Sequence, residues 1–202
     1  MKRRSDRQRG VTLVMTLLML AVVLLLATAA ARLALQGEKS ARNDRDRQIA
    51  FRAAEAALRD AEMDIEGVAE SAASRAHLFT AAVLDELPLA QGTCSGGEAN
   101  PLLGICRAAD DAMHAWQSVD FLSVGESMTA VPYGRFTGQV FPAGEGPLPA
   151  LPPRYIVEFL PYRRVGTSAS TSDYLYRITA VGFGTRSVTQ VALQVFYRKA
   201  PP

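Results

Sequence analysis

The chain has 202 residues, 49% of them hydrophobic and 21% charged. This is a foldable composition that sets aside a disordered chain and leaves room for one ordinary domain plus an appendage. The net charge of +2 is unevenly spread: Lys2, Arg3, Arg4, Arg7 and Arg9 against Asp6 give +4, so residues 11–202 carry −2. No basic patch is left for a polyanion, and no direct nucleic-acid binding is predicted.

Residues 1–10 form a basic leader that ends at Gly10. From Val11 to Ala31 run 21 residues without a charge, interrupted only by Thr12, Thr16 and Thr28. At about 1.5 Å per residue a helix of this length spans roughly 30 Å, the hydrocarbon thickness of a bilayer. The arginine cluster in front orients the amino end toward the cytoplasm. A secretory signal would share that basic front, and Ala27–Ala29 imitates its cleavage site, but a signal core of about 7 to 15 residues is shorter than this one. A plain bitopic anchor and a segment cut at the glycine and then kept are the other two readings.

The segment 32–66 continues as an amphipathic, proline-free helix. Glu38 and Arg42, Arg42 and Asp46, and Glu55 and Arg59 are opposite-sign pairs at i,i+4. Ala50, Ala54, Ala57, Ala61 and Ile65, flanked by Phe51 and Leu58, make a narrow apolar stripe that lets another element pack close. Gly37 is the weak point, costing about 1 kcal/mol relative to alanine.

Residues 67–130 are rich in small residues and loops. A short helix over 69–87, ended by Pro88, and a second over 109–116 are predicted on either side of Cys94 and Cys106. A zinc site would need two further ligands, which His77 and His114 supply poorly. A disulfide is the simpler reading if this region lies outside the cytoplasm, with two unpaired thiols as the alternative. Asp110, Asp111, Asp120 and Glu126 lack the spacing and central glycine of a calcium loop and read as solvated surface.

The segment 131–202 turns to strand formers. Runs at 154–162, 174–184 and 187–199, rich in Val, Ile, Tyr and Phe, predict at least three antiparallel strands. In the last run Val191, Leu193, Val195 and Tyr197 alternate with Gln190, Ala192, Gln194 and Phe196, so one face suits a helix. The turn at 184–186 makes the final pair a hairpin, and 163–173 is predicted to be an exposed loop. No nucleophile elbow, phosphate loop, dinucleotide fingerprint or zinc-protease motif occurs, and neither a catalytic residue, a cofactor nor a metal is predicted. Trp116 reads as a core anchor.

Two stretches carry a family resemblance: "QRGVTLVMTLLML" at 8–20 and, more specifically, "RDRQIAFRAAEAALRDAE" at 45–62. With them the chain resembles a type IV pilin precursor, in particular the PilX-type minor pilins. "YRITAVGFG" at 176–184 also resembles the penultimate strand of such proteins. The resemblance implies an α+β, pilin-like fold in which a long N-terminal helix packs on a C-terminal antiparallel sheet. It implies that a prepilin peptidase cuts after Gly10 and methylates the new amino terminus at Val11.

Typical pilins begin the mature chain with Phe and place Glu fifth, where this chain has Val11 and Met15. A carboxylate in the bilayer centre costs about 2.5–3.5 kcal/mol on insertion scales unless a partner offsets it. In the family that partner is the amino terminus of a subunit already in the filament. A subunit that starts the filament has none, so Met15 suits a tip-located initiator. The implied role is noncatalytic: assembly of the pilus from its tip, supporting adhesion and twitching motility. Implied partners are other minor pilins and the major pilin, the prepilin peptidase, inner-membrane lipid and a PilY-type tip adhesin. The implied location is the bacterial inner membrane, single-pass with the head in the periplasm, and then the pilus. A type II secretion minor pseudopilin, or a bitopic membrane protein with a periplasmic binding domain, are the rivals.

Overall fold

The structure is a computed structural model, and it describes residues 11–68, 71–109, 113–162 and 173–200. The predicted 163–173 loop falls almost wholly outside these residues. The chain divides into two compact units, Met1–Arg45 and Asp46–Pro202, and each is taken by itself.

The first unit is helical. Helix α1 runs Val11–Glu66 without a break, so Gly37 is absorbed into it, and a Cβ there would meet nothing within 4 Å. Every side chain from Val11 to Arg45 is exposed. Thr16 and Thr28 return their hydroxyls to the carbonyls of Leu13 and Leu25, each at 2.9 Å, which satisfies them without water. Arg42 pairs with Glu38 as expected. Glu55, in the second unit, bonds Arg52 at 3.3 Å in place of the predicted Arg59.

In the second unit α1 lies on a five-stranded sheet. Strands β3 (Arg154–Tyr162), β4 (Asp173–Phe183) and β5 (Gln190–Tyr197) form the antiparallel set expected, in the order β3-β4-β5. Two strands from upstream join the far edge of β3. β2 (Val131–Pro132) pairs antiparallel and β1 (Ile105–Arg107) parallel, so the whole sheet is mixed. The β4–β5 connection takes six residues, 184–189, instead of the three of the predicted turn. Gly184 N–H bonds Thr189 O, and Thr189 N–H turns back to Arg186 O.

The predicted helix 69–87 is broken. Its described part is one 3-10 turn at Ala76–Leu78 and a short helix α2 at Ala81–Glu86, with Thr80 extended between them. The break lets Arg75 and Phe79 both reach the interior, where they are 2% exposed. Leu87 is extended before Pro88, as a pre-proline residue prefers. Of the second predicted helix, residues 110–112 lie outside the described set, and the helical turn observed is α3, Ala115–Ser118.

Apolar side chains fill both faces of the sheet. On the α1 side, Ala57, Ala61 and Ile65 pack with Phe79, Leu84, Leu103, Tyr155, Val157, Phe159, Tyr176 and Ile178. On the opposite side Ile156, Val181 and Phe183 pack with Cys106, Ala115 and Phe121. The alternation of these residues along β3 and β4 is the period-2 pattern of strands covered on both faces.

Candidate functional site

Val11 to Ala31 form a helix whose apolar side chains are uncovered: Val11 is 63% exposed, Met15 61%, Met19 71% and Leu25 70%. This helix is long and apolar enough to cross a membrane, with a mean hydropathy of 2.7 over its most apolar window. A continuous apolar surface of this kind is stable only against lipid or against other apolar helices. Gly10, on which the processing expectation rests, lies outside the described residues.

The second surface is the seam between α1 and the sheet. Ala50, Ala53, Ala54, Ala57, Ala61 and Ile65 are at most 1% exposed, which confirms the stripe and adds Ala53 to it. Phe51 points away, at 40% exposure, while Leu58 packs against the core. Because the stripe is mostly methyls, the sheet approaches the helix backbone closely at Gly182. A Cβ there would stand 2.1 Å from Ala50 O and 2.3 Å from Ala54 N.

Three buried aspartates share the stripe. Asp46, Asp60 and Asp64 are 7%, 0% and 2% exposed and keep the i,i+3/i,i+4 phase of the alanines. Each holds a different part of the head. Asp46 accepts the Thr185 hydroxyl at 2.7 Å and the Thr185 N–H, with Arg186 at 3.9 Å. It therefore faces the β4–β5 connection, where an i,i+4 pair with Arg42 was predicted. Burial pushes its pKa up, but the hydroxyls of Thr189 and Thr185, the Thr185 N–H and Arg186 together hold it below the ordinary value.

Asp60 accepts the Gly134 N–H at 2.7 Å and the Thr137 hydroxyl. Here burial wins: the pKa is raised, with nearby Asp64 adding to the effect and the two hydrogen bonds opposing it. Asp64 takes a two-pronged contact from Arg75, Nε to Oδ1 at 3.0 Å and Nη2 to Oδ2 at 2.7 Å, and the Tyr155 hydroxyl at 2.9 Å. Arg75 spends Nη1 on the carbonyls of Pro101 and Leu103, at 2.8 and 2.7 Å, and lies over the Phe136 ring at 3.6 Å. A buried cation with its donors so occupied ties α1, the 101–103 turn and β3 into one network.

On the far face Glu158, fully buried, pairs with Arg177 directly across the β3–β4 ladder at 2.8 Å through both oxygens, and also accepts Ala115 N–H. That bond turns Ala115 inward and Trp116 outward. At 36% exposure Trp116 is not the predicted core anchor, and Phe121, in the cluster beneath, takes that place. Cys94 and Cys106 are joined by a disulfide, which fastens the 93–95 segment beside β1. His77 is exposed and His114 half-buried. Asp120 accepts the Leu122 N–H in a local turn, Glu126 is exposed, and Asp110 and Asp111 fall outside the described residues. Among the described residues no three His, Cys, Asp or Glu side chains converge as metal ligands. A shallow pocket lined by Gln91, Arg107, Phe159, Pro161 and Tyr174 brings no nucleophile and base together.

Asp60 and Asp64 carry no expectation from the sequence, and Asp46 only that of a surface pair with Arg42, because a charge on a helix is ordinarily exposed. Their phase with Ala50, Ala53, Ala57 and Ala61 was the available signal.

Two family models match the chain. One, described as PilX N-terminal, covers residues 9–59, and the other, described as Type IV pilus assembly protein PilX C-term, covers residues 102–199. No curated protein and no solved structure matches it.

Proposed function

The chain belongs to the PilX family of type IV pilus assembly proteins, and from that premise we propose that this minor pilin works in the complex that starts the pilus, at or near its tip. The observation that carries this reading is the uncovered apolar helix at Val11–Ala31 with Met15 in its first turns. Such a surface is satisfied by lipid while the subunit waits in the inner membrane and by neighbouring helices once it is in the filament. Met15 needs no counter-charge from a preceding subunit, which fits a subunit that has none.

In this reading the leader is cut after Gly10 and Val11 becomes the methylated amino terminus. The amino end faces the cytoplasm and the head the periplasm, where its disulfide is stable. The role is structural, with other minor pilins, the major pilin and a PilY-type adhesin as partners, and adhesion and twitching motility follow at the level of the organelle. Mass spectrometry of the membrane-extracted chain tests the processing step, with loss of residues 1–10 and one methyl group on Val11 expected. An intact amino terminus, or a start near Ala30, would overturn it. Immunogold labelling of sheared pili tests the position, with label expected at one end and uniform label along the shaft contradicting it.

A further inference from the structure

The sheet ends differently on its two sides. On one side β3 is flanked by β2 and β1, and β1 is closed in turn by Cys94, through its backbone bridge and its disulfide to Cys106. On the other side β5 pairs with β4 and, among the described residues, with no further strand. The bond from Gly184 N–H to Thr189 O sets the phase of the ladder. Val191, Leu193, Val195 and Tyr197, opposite Gly182, Ala180, Ile178 and Tyr176, direct their main-chain groups to β4. Gln190, Ala192, Gln194 and Phe196 therefore direct theirs to the open edge.

Proteins guard such an edge with lysine, proline, a bulge or an inward charge. The strand QVALQVFY has none of the three guarding residue types and pairs without a break. It is also incompletely covered. Val191, Leu193 and Val195 are half-buried, whereas Ile178 and Ala180 beside them are fully buried, and Phe196 on the other face is 59% exposed.

We propose that the open edge of β5 docks an extended strand of a different protein in the assembly. That strand joins the sheet through the main-chain groups of Gln190, Ala192, Gln194 and Phe196 and places uncharged, alternately apolar side chains beside Val191, Leu193 and Val195. A strand is the occupant because only another main chain presents donors and acceptors at the spacing of this edge. An uncharged segment is required because the edge supplies no counter-charge along its length.

A second copy of this chain fits poorly in either direction. Asp46 faces Thr185, Ala50 faces Gly182 and Glu66 accepts the Tyr197 hydroxyl, so Asp46–Glu66 runs in the direction of β5. Antiparallel self-pairing would point these helical segments in opposite directions, an arrangement that does not extend to subunits packed side by side in one assembly. Parallel self-pairing would set the Val191, Leu193, Val195 row beside the Ala192 and Gln194 face of its neighbour.

The inference rests on the reading that the chain acts within a pilus assembly, and its test separates the two. Ala192→Pro and Gln194→Pro each remove an edge-facing N–H and leave the main-chain ladder to β4 intact, Gln194→Pro also removing the side-chain bond to the Thr179 hydroxyl. Both are expected to melt within a few degrees of wild type in detergent, to keep the disulfide and to be cleaved after Gly10, yet to lower recovery of sheared pili at least tenfold. Hydrogen exchange of the wild-type chain gives an independent measure. The Ala192, Gln194 and Phe196 amides should exchange at least tenfold slower in membranes containing the assembly machinery than in the purified chain. Full piliation with either proline variant, unchanged exchange, or a β5-dependent dimer of the purified chain would overturn the proposal. Absence of cleavage after Gly10 would instead overturn the assembly reading beneath it.

Discussion

Arg75 and Asp64 are the pair on which the head depends most. Both are desolvated, so removing one strands the other, at a cost of about 3–5 kcal/mol. Arg75→Met alone is expected to destabilise by that much in thermal or urea unfolding of the detergent-solubilised chain. Adding Asp64→Leu should recover only the part due to the stranded charge, because the Tyr155 hydroxyl and the Pro101 and Leu103 carbonyls still lack their partners. The other two buried aspartates give opposite pH dependences. Asp46 has a lowered pKa, so its stabilising contribution is present above the unfolded value near 3.8 and is lost as the pH falls below it through the folded pKa. Asp60 has a raised pKa, so its ionisation opposes folding at neutral pH, and the penalty is relieved as the pH falls through the folded value toward 3.8. Melting curves from pH 7 down to pH 3 should therefore show wild type gaining on Asp60→Asn toward pH 4. Asp46→Asn should be less stable than wild type at pH 7 and lose that deficit below pH 3.8.

At the scale of elements, the helix–sheet contact is set by what is missing from its side chains. Gly182→Ala has no space, because the new methyl would stand 2.1 Å from Ala50 O, backbone that cannot move without parting α1 from β4. The variant is expected to lose cooperative unfolding, read by circular dichroism. Gly37→Ala adds a methyl that meets nothing and should stabilise the helix by about 1 kcal/mol. Reducing the Cys94–Cys106 bond releases a loop with a sequence separation of 12 and should cost about 2–4 kcal/mol, seen as a lower melting temperature in dithiothreitol.

At the scale of the whole molecule, the division into two units predicts that the apolar surface and the folded head are separable. A chain of residues 36–202 is expected to stay soluble without detergent, form its disulfide and melt cooperatively. The full chain should require detergent or lipid. Aggregation of the shortened chain in size-exclusion chromatography would contradict this.

The sequence by itself determined the anchor, the alanine stripe and β3–β5, because each is a local regularity: an uncharged run of bilayer length, a helical repeat of small residues, and alternation within strand-forming runs. It also carried the family resemblance, through stretches whose described residues lie on α1 and, at 176–183, on β4. Only the tertiary structure decided the roles of Asp46, Asp60 and Asp64, whose partners Thr185, Thr137 and Arg75 sit in other elements. The same holds for the breaking of the 69–87 helix, which yields to Arg75 reaching Asp64, and for β1, which pairs in parallel with β3 residues 52 positions later (Ile105 with Val157). Periodicity reports which face of an element is apolar; it does not report which distant residue satisfies a buried charge, or which edge of a sheet is left open.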